Sequence, residues 1–225
     1  MIFSPVNLSE IQSRNLIPSI IHMIWVGPNK YPDTLLSYIE RWQELMPEWT
    51  IRLWTNDDIN EKEFDETALD LIHRSNTGVQ KADIMKYFIV KKYGGVYLDA
   101  DVEPHQSLNV ILYQPYSVLV CHDLNVSWAY MAVGFFAASP ENQILTTCCN
   151  ILKTAELNNG APHMHTGPRV MGRALFEFSN NENVGLLPIK AFYRNMKGQH
   201  WIDGSFVQED DDSRVGSHLY AKMWD

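Results

Sequence analysis

The pattern VQKADIMKYFIVKKY, from Val79 to Tyr93, runs into Gly94-Gly95 and directly on into the apolar stretch VYLD, with no loop between them. Ile84, Tyr87, Phe88 and Val90 are among its apolar positions, so the segment reads as an amphipathic helix. Adjacent glycines let such a helix turn sharply into a strand, because they lack the Cβ that closes off left-handed backbone. A helix joined this tightly to an apolar strand has to pack against the sheet that the strand enters.

The rest of the chain alternates in the same way. Ile20–Val26 (IIHMIWV) is a continuous apolar run closed by Gly27-Pro28, which suits a fully buried strand. Residues 33–46 place Leu35, Leu36, Ile39, Trp42 and Leu45 at helical spacing, with Asp33 expected as the N-cap. Pro47 ends that helix, and WTIRLWT follows as a second strand; Trp42, Trp49 and Trp54 are expected in the core nearby. Residues 56–76 are polar and read as mostly helical. SVLVC and YMAVGFFAA are two more strands. Ser139-Pro140-Glu141 is expected to open a helix with a cap and a proline at its first position, and Gly167-Pro168 to open another through about Phe178. Short elements are expected around VGLLPI, FVQ and HLYAKMW. Strands alternating with helices predict an α/β fold around a mainly parallel sheet. Such sheets take ligands at the carboxyl ends of their strands. No internal repeat or low-complexity linker interrupts the 225 residues, so a single domain over 1–225 is expected.

Charge narrows the function. The formal net charge of -9 argues against a nucleic-acid partner, which calls for a basic face. An acidic protein can still bind a phosphorylated substrate if a divalent cation stands between them. Cys121, Cys148 and Cys149 form an odd set that suits a reducing compartment better than a disulfide framework. The first residues lack the basic start and apolar core of a signal peptide, and no window approaches the roughly 20 apolar residues of a membrane span. A soluble, cytoplasmic protein of a bacterial cell or a virus-infected host cell is expected.

Asp99 and Asp101 stand where the sheet rule places a site. On a strand, side chains two apart share a face, so both can converge on one ion or ligand. Hard carboxylate oxygens suit Mg²⁺ or Mn²⁺, which are commonly held by one or two carboxylates together with substrate phosphates. A bare D-x-D is equally a solvated turn. Upstream, Asp83 and Lys86 lie at i and i+3 on one helix face, where they hold a ligand together or make a surface ion pair of about 0.3 kcal/mol.

IPSIIHMIWVG, VQKADIMKYFIVKKYGGVYLDADVEP and HTGPRVMGRAL, in that order, resemble the D-x-D sugar transferases of glycosyltransferase family 32. The resemblance implies a GT-A fold and a metal-dependent, retaining hexosyltransferase. Residues about 17–105 would form the nucleotide-sugar and metal half, and about 106–225 the acceptor side and a C-terminal lid. It implies a UDP- or GDP-hexose donor, a hydroxyl acceptor on a glycan, glycolipid or protein, and Mn²⁺ or Mg²⁺ as cofactor. Asp101 would bind the metal, while Asp99 would contact donor and metal. Trp25 would border or stack on the base, and Asp83 would hold donor-sugar hydroxyls. Lys86 replaces the family's usual arginine and so lacks its bidentate reach. Tyr97 would line the donor pocket. The closing GSHLYAKMWD is similar to the family's His-rich end, making His218 a further metal or diphosphate contact and Trp224 a lid residue.

Three features stand outside that scheme. His163 and His165 read as a loop on the acceptor side, and Trp128 and Tyr130 as an acceptor platform or packing. The acidic run at residues 209–212 reads as a solvated loop. Two alternatives accompany the transferase reading. LDADV also fits the nucleophile motif of haloacid-dehalogenase-type phosphohydrolases, and a GT-A frame can serve as a non-catalytic nucleotide-sugar binding module.

Overall fold

The computed structural model describes residues 16–112, 116–122, 131–155, 157, 165–178, 183–193, 201–202, 205–206 and 214–218. Six strands make the central sheet: β1 (Ile20–Ile24), β2 (Thr50–Trp54), β3 (Gly95–Leu98), β5 (Val118–His122), β6 (Met131–Ala138) and β7 (Val184–Pro188). Their order is β2-β1-β3-β6-β5-β7. The pairs β1/β2, β1/β3 and β5/β7 are parallel, whereas β6 runs antiparallel to both β3 and β5. The sheet is therefore mainly parallel, as expected, with one reversed strand at its centre. A short β4 (Val102–Pro104) pairs antiparallel with β10 (Gly216–His218), which returns the late chain to the end of β3. Between them in sequence, β8 (Trp201–Ile202) and β9 (Ser205–Phe206) make a separate two-stranded ribbon.

Helices cover both faces of the sheet. α1 (Asp33–Leu45) lies on one side, and α2 (Glu66–Arg74), α3 (Gly78–Tyr93), α4 (Gln143–Lys153) and α5 (Pro168–Phe178) lie on the other. The period-2 rule sorts β3 between the two cores: Val96 and Leu98 pack with Leu35 and Trp42, while Tyr97 packs with the α3 and α5 layer. Trp42, Trp49 and Trp54 are all buried, as the sequence predicts. Among the described residues, no helix is long and apolar enough to cross a membrane.

Several local expectations are corrected. Asp33 is the first residue of α1, and Pro32 occupies the cap position without a side-chain hydrogen bond; the Asp33 charge still faces the positive helix end. Leu36 points to solvent. Ser139-Pro140-Glu141 forms a turn in which Glu141 has φ 54, and the cap of α4 is Asn142, whose side chain accepts from the Ile144 N–H. Residues 56–76 are mostly helical as expected, but the helix is split into a 3-10 turn (Asn56–Asp58) and the nine residues of α2. At α4 the Asn142 side chain sets the helix start, because it satisfies a helix-end N–H group directly.

The turn between α3 and β3 is tightly built. Thr77 caps α3 by accepting from the Gln80 N–H, and the helix ends at Gly94 with φ 64, followed by Gly95 with φ 93. A Cβ on Gly95 would lie 2.5 Å from the Ile20 carbonyl oxygen of the adjacent strand. His22, fully buried on β1, secures this turn. Trp54 is a pure donor, so its indole N–H at 3.1 Å makes His22 Nδ1 an acceptor; Nε2 then carries the proton and donates to the Gly94 carbonyl at 2.9 Å. Burial drives the His22 pKa down to about 4, with Arg52 adding to the effect against the Gly94 hydrogen bond.

The lowered pKa sets an acid limit on stability. Between pH 6.5 and about 4 the unfolded chain takes up a proton that native His22 refuses, so stability falls as pH falls, by up to roughly 3 kcal/mol. Glu63, held down to about 2 by Tyr93 and Arg52 against its burial, continues the loss below pH 4.5. Urea unfolding at successive pH values should show the decline beginning near pH 6.5 in the wild type, and the His22→Gln profile should be flatter between pH 6.5 and 4.

Candidate metal and donor site

Asp99 and Asp101 lie on a tight turn between β3 and β4, not on the strand itself, which ends at Leu98. The Val102 N–H closes the turn on the Asp99 carbonyl at 3.1 Å, and the Asp99 N–H is held by the Gly134 carbonyl at 2.8 Å. The two carboxylates thus converge through turn geometry and not through strand alternation. They do so at the carboxyl end of β3, where the sheet rule places them.

The third member comes from far along the chain. Pairing of β10 with β4 brings His218 opposite Val102, and its Nε2 lies 2.8 Å from Asp99 Oδ2 and 3.3 Å from Asp101 Oδ1. Burial by itself would pull the His218 pKa down, but the Asp99 hydrogen bond and the charges of both aspartates raise it. Burial opposes ionisation of Asp99, yet His218, Lys86 and the Tyr97 hydroxyl together lower its pKa. One donor atom from each of Asp99, Asp101 and His218 falls within 4.8 Å of the others. Two hard carboxylate oxygens and one imidazole fit a divalent cation such as Mn²⁺, and the cluster is compact enough to share one ion.

α3 supplies the second half of the site. Asp83 and Lys86 are buried and joined at 2.5 Å, so the pair is not the exposed surface bridge that spacing also allowed. Thr166, fully buried, donates to the other Asp83 oxygen at 3.0 Å. Burial raises the Asp83 pKa, opposed by Lys86 and Thr166. One turn further along α3, Tyr87 donates to the Gly167 carbonyl at 3.0 Å, locking the His165-Thr166-Gly167-Pro168 turn onto the helix. The Lys86 ammonium lies 5.2 Å from the Tyr97 ring centroid.

Tyr97 is corrected from pocket wall to internal support. It is almost wholly buried against Phe136, and its hydroxyl donates to Asp99 Oδ1 at 2.6 Å. Trp25 follows β1 as expected but is buried, with its indole N–H donated to the Asn29 carbonyl and its ring edge-on to Tyr31 at 5.3 Å. Tyr31 in turn donates to the Ala100 carbonyl inside the aspartate turn at 3.3 Å, linking the Trp25 loop to the carboxylates. His165 is half-buried beside Thr166. Trp128, Tyr130, His163, Trp224 and the acidic run at 209–212 lie outside the described residues.

Thr166, Gly134 and Tyr193 are site residues that sequence reasoning passed over. Thr166 sits inside the HTGP motif, and Gly134 interrupts an apolar strand, a pattern that often marks close approach of another group. Tyr193 carries no local signal.

The same residues can be set beside known proteins. Residues 32–118 match the model described as glycosyltransferase sugar-binding region containing DXD motif. Over that stretch the chain is similar to DXD glycosyltransferases. The chain is 32% identical over 101 residues to an inositol phosphoceramide mannosyltransferase of Schizosaccharomyces pombe, which covers 44% of this chain and 28% of that protein. It is 26% identical over 208 residues to a mannosyl phosphorylinositol ceramide synthase of Saccharomyces cerevisiae, covering 84% of this chain and 54% of that one. The chain thus spans between about a quarter and about half of these relatives. Among solved structures, the PaToxG glycosyltransferase shares the fold with a TM-score of 0.61 at 15% identity, over 76% of each chain. The fold is GT-A, and the D-x-D pair within the matched residues is the Asp99–Asp101 turn.

Gly134 tests how closely the sheet supports the DXD turn. A Cβ there would lie 2.6 Å from Asp99 Oδ2 and 2.8 Å from the Tyr193 hydroxyl. Gly134→Ala is expected to destabilise the protein by about 1–3 kcal/mol through overpacking. Thermal or urea unfolding of the two proteins measures it.

Proposed function

We propose that this chain is a metal-dependent retaining glycosyltransferase that moves a hexose from a UDP- or GDP-sugar to a hydroxyl of a glycan, glycolipid or protein. The observation that carries the reading is the convergence of Asp99, Asp101 and His218 at the end of β3, beside the buried Asp83–Lys86 pair. Asp101 and His218, with Asp99, would hold Mn²⁺ or Mg²⁺. A bound cation supplies Lewis-acid neutralisation of the leaving diphosphate, which lets a protein of net charge -9 accept an anionic donor. The chain from β1 through β4 would form the donor and metal half, and the later chain the acceptor side, within one domain.

The residues of the chain divide the remaining work. Asp83 keeps acceptor capacity for donor-sugar hydroxyls, and its two oxygens are oriented by Lys86 and Thr166. Lys86 adds positive potential behind Asp83 and Asp99. Trp25 and Tyr31 would border the nucleobase end. Asp83, Asp99 and Asp101 are each engaged by a cationic or hydroxyl partner, which disfavours any of them as a nucleophile. This supports same-face transfer: the C1–O bond to the diphosphate breaks, the acceptor oxygen bonds to C1, and the acceptor proton passes to the departing phosphate. Trapping a covalent glycosyl-enzyme on a carboxylate would overturn that route.

Three of the relatives are named as inositol phosphoceramide mannosyltransferases, so mannosyl donors head the panel to be tested. The phosphohydrolase reading of LDADV loses its basis, since the motif forms the turn after the third strand of a GT-A sheet. Nucleoside-diphosphate release from a panel of UDP- and GDP-sugars, with Mn²⁺ or with chelator, is the deciding measurement. Metal-dependent release that falls about 100-fold or more in Asp101→Asn is expected, matching several kcal/mol of charge stabilisation. Binding without turnover would indicate a non-catalytic module, and chelator-insensitive release would remove the metal from the scheme.

A further inference from the structure

Two consecutive residues of the late chain straddle two consecutive residues of β6. Phe192 stacks on Phe135 with ring centroids 4.2 Å apart, and the Tyr193 hydroxyl accepts the Gly134 N–H at 2.8 Å. The same short segment holds β10: the Val215 N–H donates to the Ala191 carbonyl at 3.0 Å, and the His218 N–H to the Phe192 carbonyl at 2.7 Å. Segment 191–193 is therefore the strap that fastens the strand bearing His218 to the strand beneath the DXD turn.

Tyr193 touches both parts of the cluster. Its ring lies against the His218 imidazole, 5.4 Å between centroids. Its hydroxyl shares the Gly134 notch with Asp99: a point one Cβ above Gly134 is 2.8 Å from the Tyr193 oxygen and 2.6 Å from Asp99 Oδ2. Gly134 also accepts the Asp99 N–H through its own carbonyl. One buried phenol thus holds the N–H side of Gly134 while the carbonyl side of the same residue holds the Asp99 N–H, and its ring limits the orientations open to His218. Partners of this kind orient ligands that cannot orient themselves, and their loss typically weakens metal affinity by about 10–100-fold.

We propose that Tyr193 is a positioning residue of the Asp99–Asp101–His218 centre, keeping the DXD turn and the His218 ring in register for one divalent ion. This rests on reading that cluster as a cation site. Nothing in the residue's sequence neighbourhood, AFYRN, marks it for this task; only the return of β10 does.

The test is direct binding of Mn²⁺ alone to the full chain, by calorimetry and by the electron paramagnetic resonance of the bound ion. Wild type, Tyr193→Phe, Asp101→Asn and Leu145→Ala are compared, Leu145 being a buried core residue of α4, which follows the strand end paired with Gly95 at the opposite end of β3 from Asp99. Tyr193→Phe keeps the ring and removes the hydroxyl. It is expected to bind Mn²⁺ about 10-fold more weakly, with an altered resonance spectrum, while Leu145→Ala lowers stability and binds as the wild type does. Equal affinity in Tyr193→Phe and wild type, with Asp101→Asn defective, would overturn the positioning role and leave the cation site standing. Equal weakening in Tyr193→Phe and Leu145→Ala would overturn it too, by showing general loosening. Failure of the wild type to bind Mn²⁺ in an Asp101-dependent way would remove the cation site and this role together.

Discussion

The direct turn from α3 into β3 governs the geometry of everything functional in this protein. Because Gly94 and Gly95 leave no slack, the helix bearing Asp83 and Lys86 and the strand ending at Asp99 cannot move independently. The turn is held from below by one neutral histidine, whose protonation state follows from its two hydrogen-bond partners. Left-handed φ makes both positions depend on glycine, as do close contacts of Gly94 with Pro18 and Pro140 and of Gly95 with Ile20 of β1. The Asp83–Lys86 pair and the Asp99–Asp101 turn are consequently set at a fixed distance by backbone, with side chains only refining it.

Around that frame the site is a buried polar network in which opposite charges answer one another. Asp83 meets Lys86 and Thr166; Asp99 meets His218 and Tyr97; Asp101 meets His218. Charges this deep are tolerated only when paired and hydrogen-bonded, and removing one partner typically costs about 3–5 kcal/mol. Such pairing contributes little to stability beyond a well-packed apolar core, so its function is orientation. A preorganised pair of carboxylates with one imidazole suits a divalent cation.

Much of the fold could be read locally. The IIHMIWV run, the α3 pattern and the apolar strands around Leu119 and Phe136 appear where periodicity places them, since each buries a face that its own sequence defines. Helix starts at Asp33 and Ser139 were misplaced because a competing residue or turn one to three positions away closed the helix end instead. The aspartates were legible as a pair, but the reason for their convergence was not: a turn hydrogen bond does it, and a turn leaves no periodic trace.

The chain's own pattern was enough to specify an α/β sheet, a glycine-hinged helix-to-strand step and a DXD pair at its end, because these depend on residues adjacent in sequence. Tertiary structure decided the rest. It reversed β6, buried the Asp83–Lys86 pair, turned Tyr97 inward to support Asp99, and brought His218 across more than a hundred residues to complete the cluster. Those outcomes depend on which strand pairs with which and on what each side chain finds opposite it, and contacts between distant segments leave no local spacing to read.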